Sequence, residues 1–331
     1  MKNHESLQVQ YIAYEVDTHD STRLEQLYAH WVNSRYAVVV NPPAGFSSDQ
    51  KAQWSYFQFL TENLRQIILH HGGCGHIDTV SQGMLAVFAA PEFYFKDRGN
   101  QPFDEAVYRA GLTYLNQRLS GLGNLIIFAG SIWWWERYQG PNGANATIHN
   151  TVPVFFQGQN ILNWNKKFLS NIDGLGQANA NWGPSTHWDT VTQQALGVAL
   201  EQNGASPVVV VNVGGVAVSL GVEVCLEHCY AYLRNHNNGH LDIHMLVCAG
   251  IPKPSPAALA NRAGGLFLRT DGGIAGAGYP YDNNRSNCLQ SAVGGALVAV
   301  AGTAYPSLPD RPSMPDERLM VYPPVTLNGP S

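Results

Sequence analysis

Met84-Leu85-Ala86-Val87-Phe88-Ala89-Ala90-Pro91-Glu92-Phe93-Tyr94-Phe95 opens with seven apolar residues and closes on a carboxylate set among aromatics. An uninterrupted apolar run of that length reads as a strand buried on both faces, and Pro91 stops it. Downstream, Asp104 caps a helix whose Val107, Ala110, Leu115 and Leu119 turn inward and which Gly121 and Gly123 end. Asn124–Gly130 (NLIIFAG) is the next strand. Upstream, Gln53–His70 places Phe57, Leu60, Leu64, Ile67 and Ile68 on one helical face, with Ser47, Ser48 and Asp49 as start signals. Tyr36–Asn41 (YAVVVN) reads as the strand before it. A β-α-β-α-β run of this kind predicts an α/β fold with helices covering sheets.

Beyond Gly130 the rhythm changes. Asn150–Gln157 and Asn160–Trp164 read as paired strands, and the Asn-, Gly-, Trp- and Asp-rich residues 171–190 as a long surface loop. Val208–Val213 and Val216–Cys225 form a hairpin about Gly214-Gly215. A short helix follows over His228–Asn235, then strands at Leu241–Ala249, Leu266–Arg269 and Ala296–Ala301. No repeat and no linker divides this run. The expected organisation is a leader over 1–35 with one short helix at Ser21–Asn33, a single domain over 36–302, and an irregular Pro-rich tail over 303–331.

Composition narrows the function. Of 331 residues, 45% are hydrophobic, enough for a large core and too many for a disordered chain. The 19 Lys+Arg against 24 Asp+Glu leave a net charge of −5 with no basic cluster, which excludes nucleic acid as a partner. No secretory signal is expected from Met1–Val9, which carries Lys2, His4 and Glu5 with no apolar stretch behind it. The most apolar window, Pro207–Leu226, is broken by Asn212, Gly214, Gly215, Ser219 and Glu223, so no membrane span is expected. Cys74, Cys225, Cys229, Cys248 and Cys288 are an odd number without framework spacing, as expected of reduced thiols in a cytoplasmic protein.

Charged residues make up only 13% of the chain, about half the usual share of roughly 25%, so those interrupting apolar strands carry information. Glu92 follows one strand, where desolvation raises a carboxyl's pKa toward that of a general acid or base. Lys166, in Ile161-Leu162-Asn163-Trp164-Asn165-Lys166-Lys167-Phe168-Leu169, can hold a positive charge against an oxyanion, while Lys167 faces the other way in an extended chain. Cys225 closes Val216–Val224 just before a helical segment that favours a thiolate. Each has an ordinary reading alone: a Glu reaching water, two exposed lysines, an inert buried cysteine. Together they supply nucleophile, proton shuttle and charge stabiliser.

In that chain order the three residues resemble the nitrilase (carbon–nitrogen hydrolase) superfamily. Pro91-Glu92 resembles the family's Pro-Glu. Asn150-Thr151, Gly158 and Trp164-Asn165-Lys166-Lys167-Phe168-Leu169 resemble its Asn-Thr strand, Gly turn and Tyr-Arg-Lys-x-His-Leu segment, in a register that selects Lys166. Gly221-Val222-Glu223-Val224-Cys225-Leu226-Glu227-His228 resembles its Gly-x-x-x-Cys segment. The spacings match as well, with 74 residues from Glu92 to Lys166 and 59 from Lys166 to Cys225. The resemblance, over about residues 36–302, implies a four-layer α-β-β-α sandwich that pairs into a homodimer or higher homo-oligomer.

The resemblance further implies a hydrolase that cleaves a non-peptide carbon–nitrogen bond of a small nitrile or amide. The reaction passes through a thioester on Cys225 and uses no metal or cofactor. Glu92 is its proton carrier, and Lys166 with the backbone N–H after Cys225 holds the oxyanion. Glu136, in Gly130-Ser131-Ile132-Trp133-Trp134-Trp135-Glu136, matches a second family glutamate. Cys225-x-Glu227-His228 is closer to the form of the nitrile-cleaving branches. Asn165, Phe168 and Leu226 depart from the family's usual residues, and such changes bear on pocket shape. Phe93, Tyr94, Trp133, Trp134, Leu226 and His228 are candidates to line the substrate pocket, with packing or subunit contact the competing role for the aromatics.

Other readings are a zinc site on Cys225 and Cys229, or on His236, His240 and His244, and a Cys225–His228 thiol hydrolase. A catalytically inactive scaffold on the same fold is a further one, which has no need of all three residues.

Overall fold

The computed structural model describes residues 7–19, 21–34, 37, 39–81, 83–140, 143–167, 206–237, 240–251, 254–273, 285–292, 296–309 and 317–327, with side chains of 137–147 left aside. The expected loop over 171–190 lies outside them, as do Phe168 and Leu169. Two sheets stack face to face.

The larger sheet has ten strands. Its path runs β14 (Thr303–Tyr305), β15 (Arg318–Val321), β1 (Gln8–Glu15), β2 (Met84–Ala89), β4 (Leu125–Phe128), β6 (Gly143–Phe156), β5 (Ile132–Gly140), β3 (Phe103–Asp104). Off that path β16 (Val325–Thr326) pairs with β1, and β7 (Gln159–Asn165) with β6. The smaller sheet has six strands: β13 (Leu297–Ala299), β12 (Ser286–Ser291), β11 (Asn261–Asp271), β10 (Leu241–Cys248), β9 (Val216–Val224), β8 (Val208–Val213). β1, β2 and β4 run parallel, as do β9, β10 and β11, so their carboxyl ends lie together within each sheet.

Pleat alternation sorts the core into layers. Val9, Tyr11, Leu85, Val87, Ile126, Val152 and Val154 meet Val218, Leu220, Val222, Met245, Leu266 and Leu268 between the sheets, all buried. Ile12, Phe88 and Ile127, on the opposite face, pack under α1 (Ser21–Val32), α2 (Ser48–Gly73) and α3 (Glu105–Arg118). A capping box between Ser47 and Gln50 starts α2. Where α2 meets α3, a Cβ on Gly111 would fall 2.4 Å from the Phe57 ring, so only glycine lets these helices approach as they do. The outer face of the smaller sheet carries two short helices, α4 (Leu226–Cys229) and α5 (Tyr232–Asn237), with Leu233 packed on Leu241. The architecture is the expected α-β-β-α sandwich, its last layer thin among the described residues.

Three expectations are corrected. The described residues of Tyr36–Asn41, Ala37 and 39–41, are not in a strand: Val39 is exposed, and the Val40 carbonyl accepts from Trp54 Nε1 and Gln58 Nε2 on α2. The strand in the sheet is Gln8–Glu15, within the supposed leader, held between β2 and β15. The supposed irregular tail supplies β14, β15 and β16, whose partners lie at the other end of the chain or in one another, which local composition does not reveal.

Candidate active site

β2 ends in a tight turn at Pro91-Glu92-Phe93. The Phe93 N–H donates to Ser131 Oγ at 2.8 Å, and Phe93 takes a φ of 58°. Gly130 makes room for that turn: its φ is +85°, and a Cβ there would meet the Pro91 carbonyl at 2.6 Å. Glu92 is thereby swung into the space between the sheets and fully buried. Its Oε1 accepts from Asn150 Nδ2 at 2.9 Å and from Lys166 Nζ at 2.7 Å. Lys166 follows the last residue of β7; its own N–H donates to the Asn150 carbonyl at 2.8 Å, and its side chain is 0% exposed, as is that of Glu92. The Phe93 ring centroid lies 5.9 Å from the Lys166 ammonium.

Cys225 arrives from the other sheet. It ends β9 and caps α4 with φ 48° and ψ −104°, a conformation that L residues rarely adopt and that costs of order 1–3 kcal/mol. Its N–H donates to the Val247 carbonyl at 2.9 Å, and the Glu92 N–H donates to the next carbonyl, Cys248, at 3.4 Å. The two residues are thus hung from consecutive carbonyls at the end of β10. Lys166 reaches the same place: its charge draws down the Cys229 thiol on α4, although burial and Glu223 push that thiol up on balance.

Glu227, two residues after Cys225, is fully buried and bonded on both oxygens. Oε1 accepts from the Lys167 N–H at 2.6 Å; Oε2 accepts from the Val224 N–H at 2.7 Å and Trp164 Nε1 at 3.0 Å. Burial pushes its carboxyl up to about 7, against the pull of those three donors. Lys167 is buried too, correcting its expected exposure, with its ammonium 4.7 Å from the Trp164 ring centroid.

Of the remaining expected site residues, Tyr94, Trp134, Glu136 and His228 turn elsewhere. Tyr94 turns toward the helices, where its hydroxyl donates to the Leu60 carbonyl and meets Asn63. Trp134 is stacked between Tyr108 on α3 at 4.0 Å and His149 at 4.1 Å. Glu136 shares the Trp134 face of β5 and holds His149 Nε2 at 3.0 Å. The pleat therefore turns it away from Asn150 and Glu92. Trp133, opposite Asn150 in register, faces the site and meets Phe93 edge to face, with Ala249 and Ile148 beside them. Leu226 is half-buried.

His228 points into a network on the outer face of the smaller sheet. Glu223 Oε2 accepts from His228 Nδ1 and His244 Nε2, each at 2.9 Å. These three are the one group among the described residues close enough to share a metal ion. Their bonding disfavours it. His228 Nε2 accepts from the Ser255 N–H and His244 Nδ1 from the Ala260 N–H, so each ring proton sits on the nitrogen facing Glu223. A metal there would force both protons onto nitrogens already facing N–H donors. Of the alternative zinc set, His244 has both ring nitrogens engaged in this network, and His236 Nδ1 faces the Tyr232 carbonyl at 2.6 Å.

Burial opposes the charge of Glu223, yet His244 and His228 outweigh it and bring the carboxyl down to about 2; burial in turn lowers His244. Both shifts mean that the unfolded chain binds more protons in acid than the folded one, so stability falls as pH falls. The His244 part begins near pH 6.5 and the Glu223 part runs from about 4.5 toward 2. Glu227 works the other way between about pH 7 and 4.5, where its raised carboxyl takes up a proton in the folded chain, so the melting temperature should drop most clearly below pH 4.5. A flat profile would contradict the network.

No family model matches the chain, and no curated protein matches it in sequence. Solved structures do. A mutant of the Nesterenkonia AN1 amidase from the nitrilase superfamily is 14% identical, with 97% of this chain and 93% of that one covered and a TM-score of 0.46. A double mutant of the amidase from Nesterenkonia sp. AN1 in complex with acrylamide is 12% identical over 99% and 93%, with a TM-score of 0.43. A glutamine-dependent NAD(+) synthetase from Cytophaga hutchinsonii is 11% identical over 97% of this chain, with a TM-score of 0.44. The chain spans only 43% of that synthetase.

Proposed function

We propose that this chain is a carbon–nitrogen hydrolase that cleaves a small amide or nitrile through a thioester on Cys225. The observation that carries this reading is the Glu92–Lys166 pair, 2.7 Å apart and wholly excluded from solvent, at the strand ends where Cys225 is held in a strained turn. Taking two charges out of water costs several kcal/mol per ion, and a buried pair seldom stabilises more than packed apolar residues would. A pair of this kind beside a strained cysteine fits chemistry better than it fits scaffolding.

In this mechanism Glu92 accepts the Cys225 thiol proton as sulfur attacks the substrate carbon. Lys166 and the Leu226 N–H hold the developing negative charge. For an amide, Glu92 then returns the proton to the departing ammonia or amine, takes one from the water that cleaves the thioester and gives it back to the Cys225 sulfur. For a nitrile, a first water adds to the thioimidate before ammonia leaves. Phe93 and Trp133 give that space an apolar wall, which suits an uncharged acyl group. In the same reading the protein is cytoplasmic and homo-oligomeric, and Glu136 acts by holding His149. None of the described helices is long and apolar enough to cross a membrane.

The test is ammonia release from a panel of small aliphatic and aromatic amides and nitriles, with intact-protein mass taken after rapid acid quenching. The expected result is turnover of at least one class and an acyl mass increment on the Cys225 peptide. An inactive scaffold would give neither.

A further inference from the structure

We propose that Glu227 is a positioning residue: its carboxylate clasps the Lys166 end of one sheet to the Cys225 end of the other and so sets how the ammonium faces the thiol. This inference rests on Glu92, Lys166 and Cys225 being the reacting groups.

Lys166 ends a strand of the ten-stranded sheet, and Cys225 ends a strand of the six-stranded one. Apolar packing makes most of the contact between those sheets, with the Glu92 N–H bond to the Cys248 carbonyl beside it, and being non-directional it does not by itself fix how Lys166 faces Cys225. A group of reacting atoms needs its members held within about 0.5 Å. Glu227 supplies directed bonds across that gap. It accepts from the N–H of Lys167, the residue after the lysine, and from the N–H of Val224, the residue before the cysteine. Trp164, two residues before the lysine and also fully buried, adds its indole N–H.

All three partners are N–H donors, and a carboxylate is the side chain that offers two acceptor oxygens at once. A glutamine would face at least one of those donors with its own NH2 group and lose that bond. An aspartate is one methylene too short to span both segments. Because both Glu227 oxygens are occupied by backbone and indole, it acts through the groups it holds rather than on a substrate.

The experiment follows alkylation of Cys225 by iodoacetamide in the full-length protein, mapped by peptide mass over pH 5 to 9. Folding is checked by melting temperature and near-ultraviolet circular dichroism. In folded Glu227→Gln the rate at pH 7 should fall at least tenfold, and the midpoint of its pH profile should move up toward that of a free thiol, about 8.5. Removing the carboxylate charge without moving Lys166 would do the opposite, lowering the midpoint and speeding alkylation, and that result would overturn the proposal. So would an unchanged profile.

If Glu227→Gln does not fold, Glu227→Asp and Trp164→Phe carry the test. Trp164→Phe removes one of three bonds and should slow alkylation about twofold, and Glu227→Asp more. Unchanged rates in both would overturn the clasp. Failure of the underlying reading looks different: Cys225 of the unaltered protein would react no faster than Cys74 or Cys229, and Glu92→Gln would not slow it.

Discussion

Lys166→Met should lower turnover by about 10²- to 10³-fold, the loss seen when one oxyanion donor is removed. It should also destabilise the protein by about 3–5 kcal/mol, because it leaves a buried carboxylate without its counter-charge. The 2.7 Å contact between Lys166 and Glu92, with neither side chain exposed, is what makes the two effects inseparable in the single variant. A double variant separates them. Glu92→Leu with Lys166→Met removes both charges, leaves an apolar pair of similar volume, and should recover most of the lost stability while turnover falls further. Thermal or urea melts read the first quantity and ammonia release the second. A double variant no more stable than Lys166→Met would show that the ion pair is not what couples this site to the fold.

Cys225→Ala should remove turnover altogether, a fall of at least about 10⁴-fold, since losing the nucleophile of a group that acts as a unit costs about as much as losing the whole group. Stability should change little, because an alanine occupies the same strained turn. Cys225→Gly should be equally inactive but more stable than Cys225→Ala by about 1 kcal/mol, as glycine adopts a φ of 48° without a Cβ penalty. Residual turnover in Cys225→Ala, measured on the substrates the unaltered protein cleaves, would reassign the nucleophile.

The sequence showed the parts of this molecule whose signal is local. β2, β4 and the face of α2 follow from runs and periods of apolar residues, and the structure has them where those patterns lie. Glu92 and Lys166 were legible because a charge stands out in an apolar strand end, and the structure joins them. β1 was missed because Gln8-Val9-Gln10-Tyr11-Ile12-Ala13-Tyr14-Glu15 alternates polar and apolar residues at only one end, and its burial comes from partners far along the chain.

Tyr94 and Trp134 depart from expectation for a related reason. Being next to a site residue in sequence does not decide which way a strand or turn points a ring: the turn after Pro91 sends Tyr94 toward α2, and the pleat sends Trp134 toward α3. Glu227 was visible only as part of the Cys225 segment. Nothing local distinguishes a surface glutamate from one that receives three N–H groups from two sheets.

The pairing of β1 with β15 and β16 sets a timetable for folding. Gln8 lies opposite Thr326 and Glu15 opposite Arg318, so pairs roughly 300 positions apart must meet before β1 has a neighbour on that side. Contacts this distant in sequence are slow to form, and a ribosome adding about 5–20 residues each second leaves β1 one-sided for tens of seconds. During that interval the growing chain carries an open strand edge, the kind of surface on which two chains can pair wrongly. Yield on expression should therefore depend on the six residues that close this edge, Arg318–Val321 and Val325–Thr326, as much as on the core.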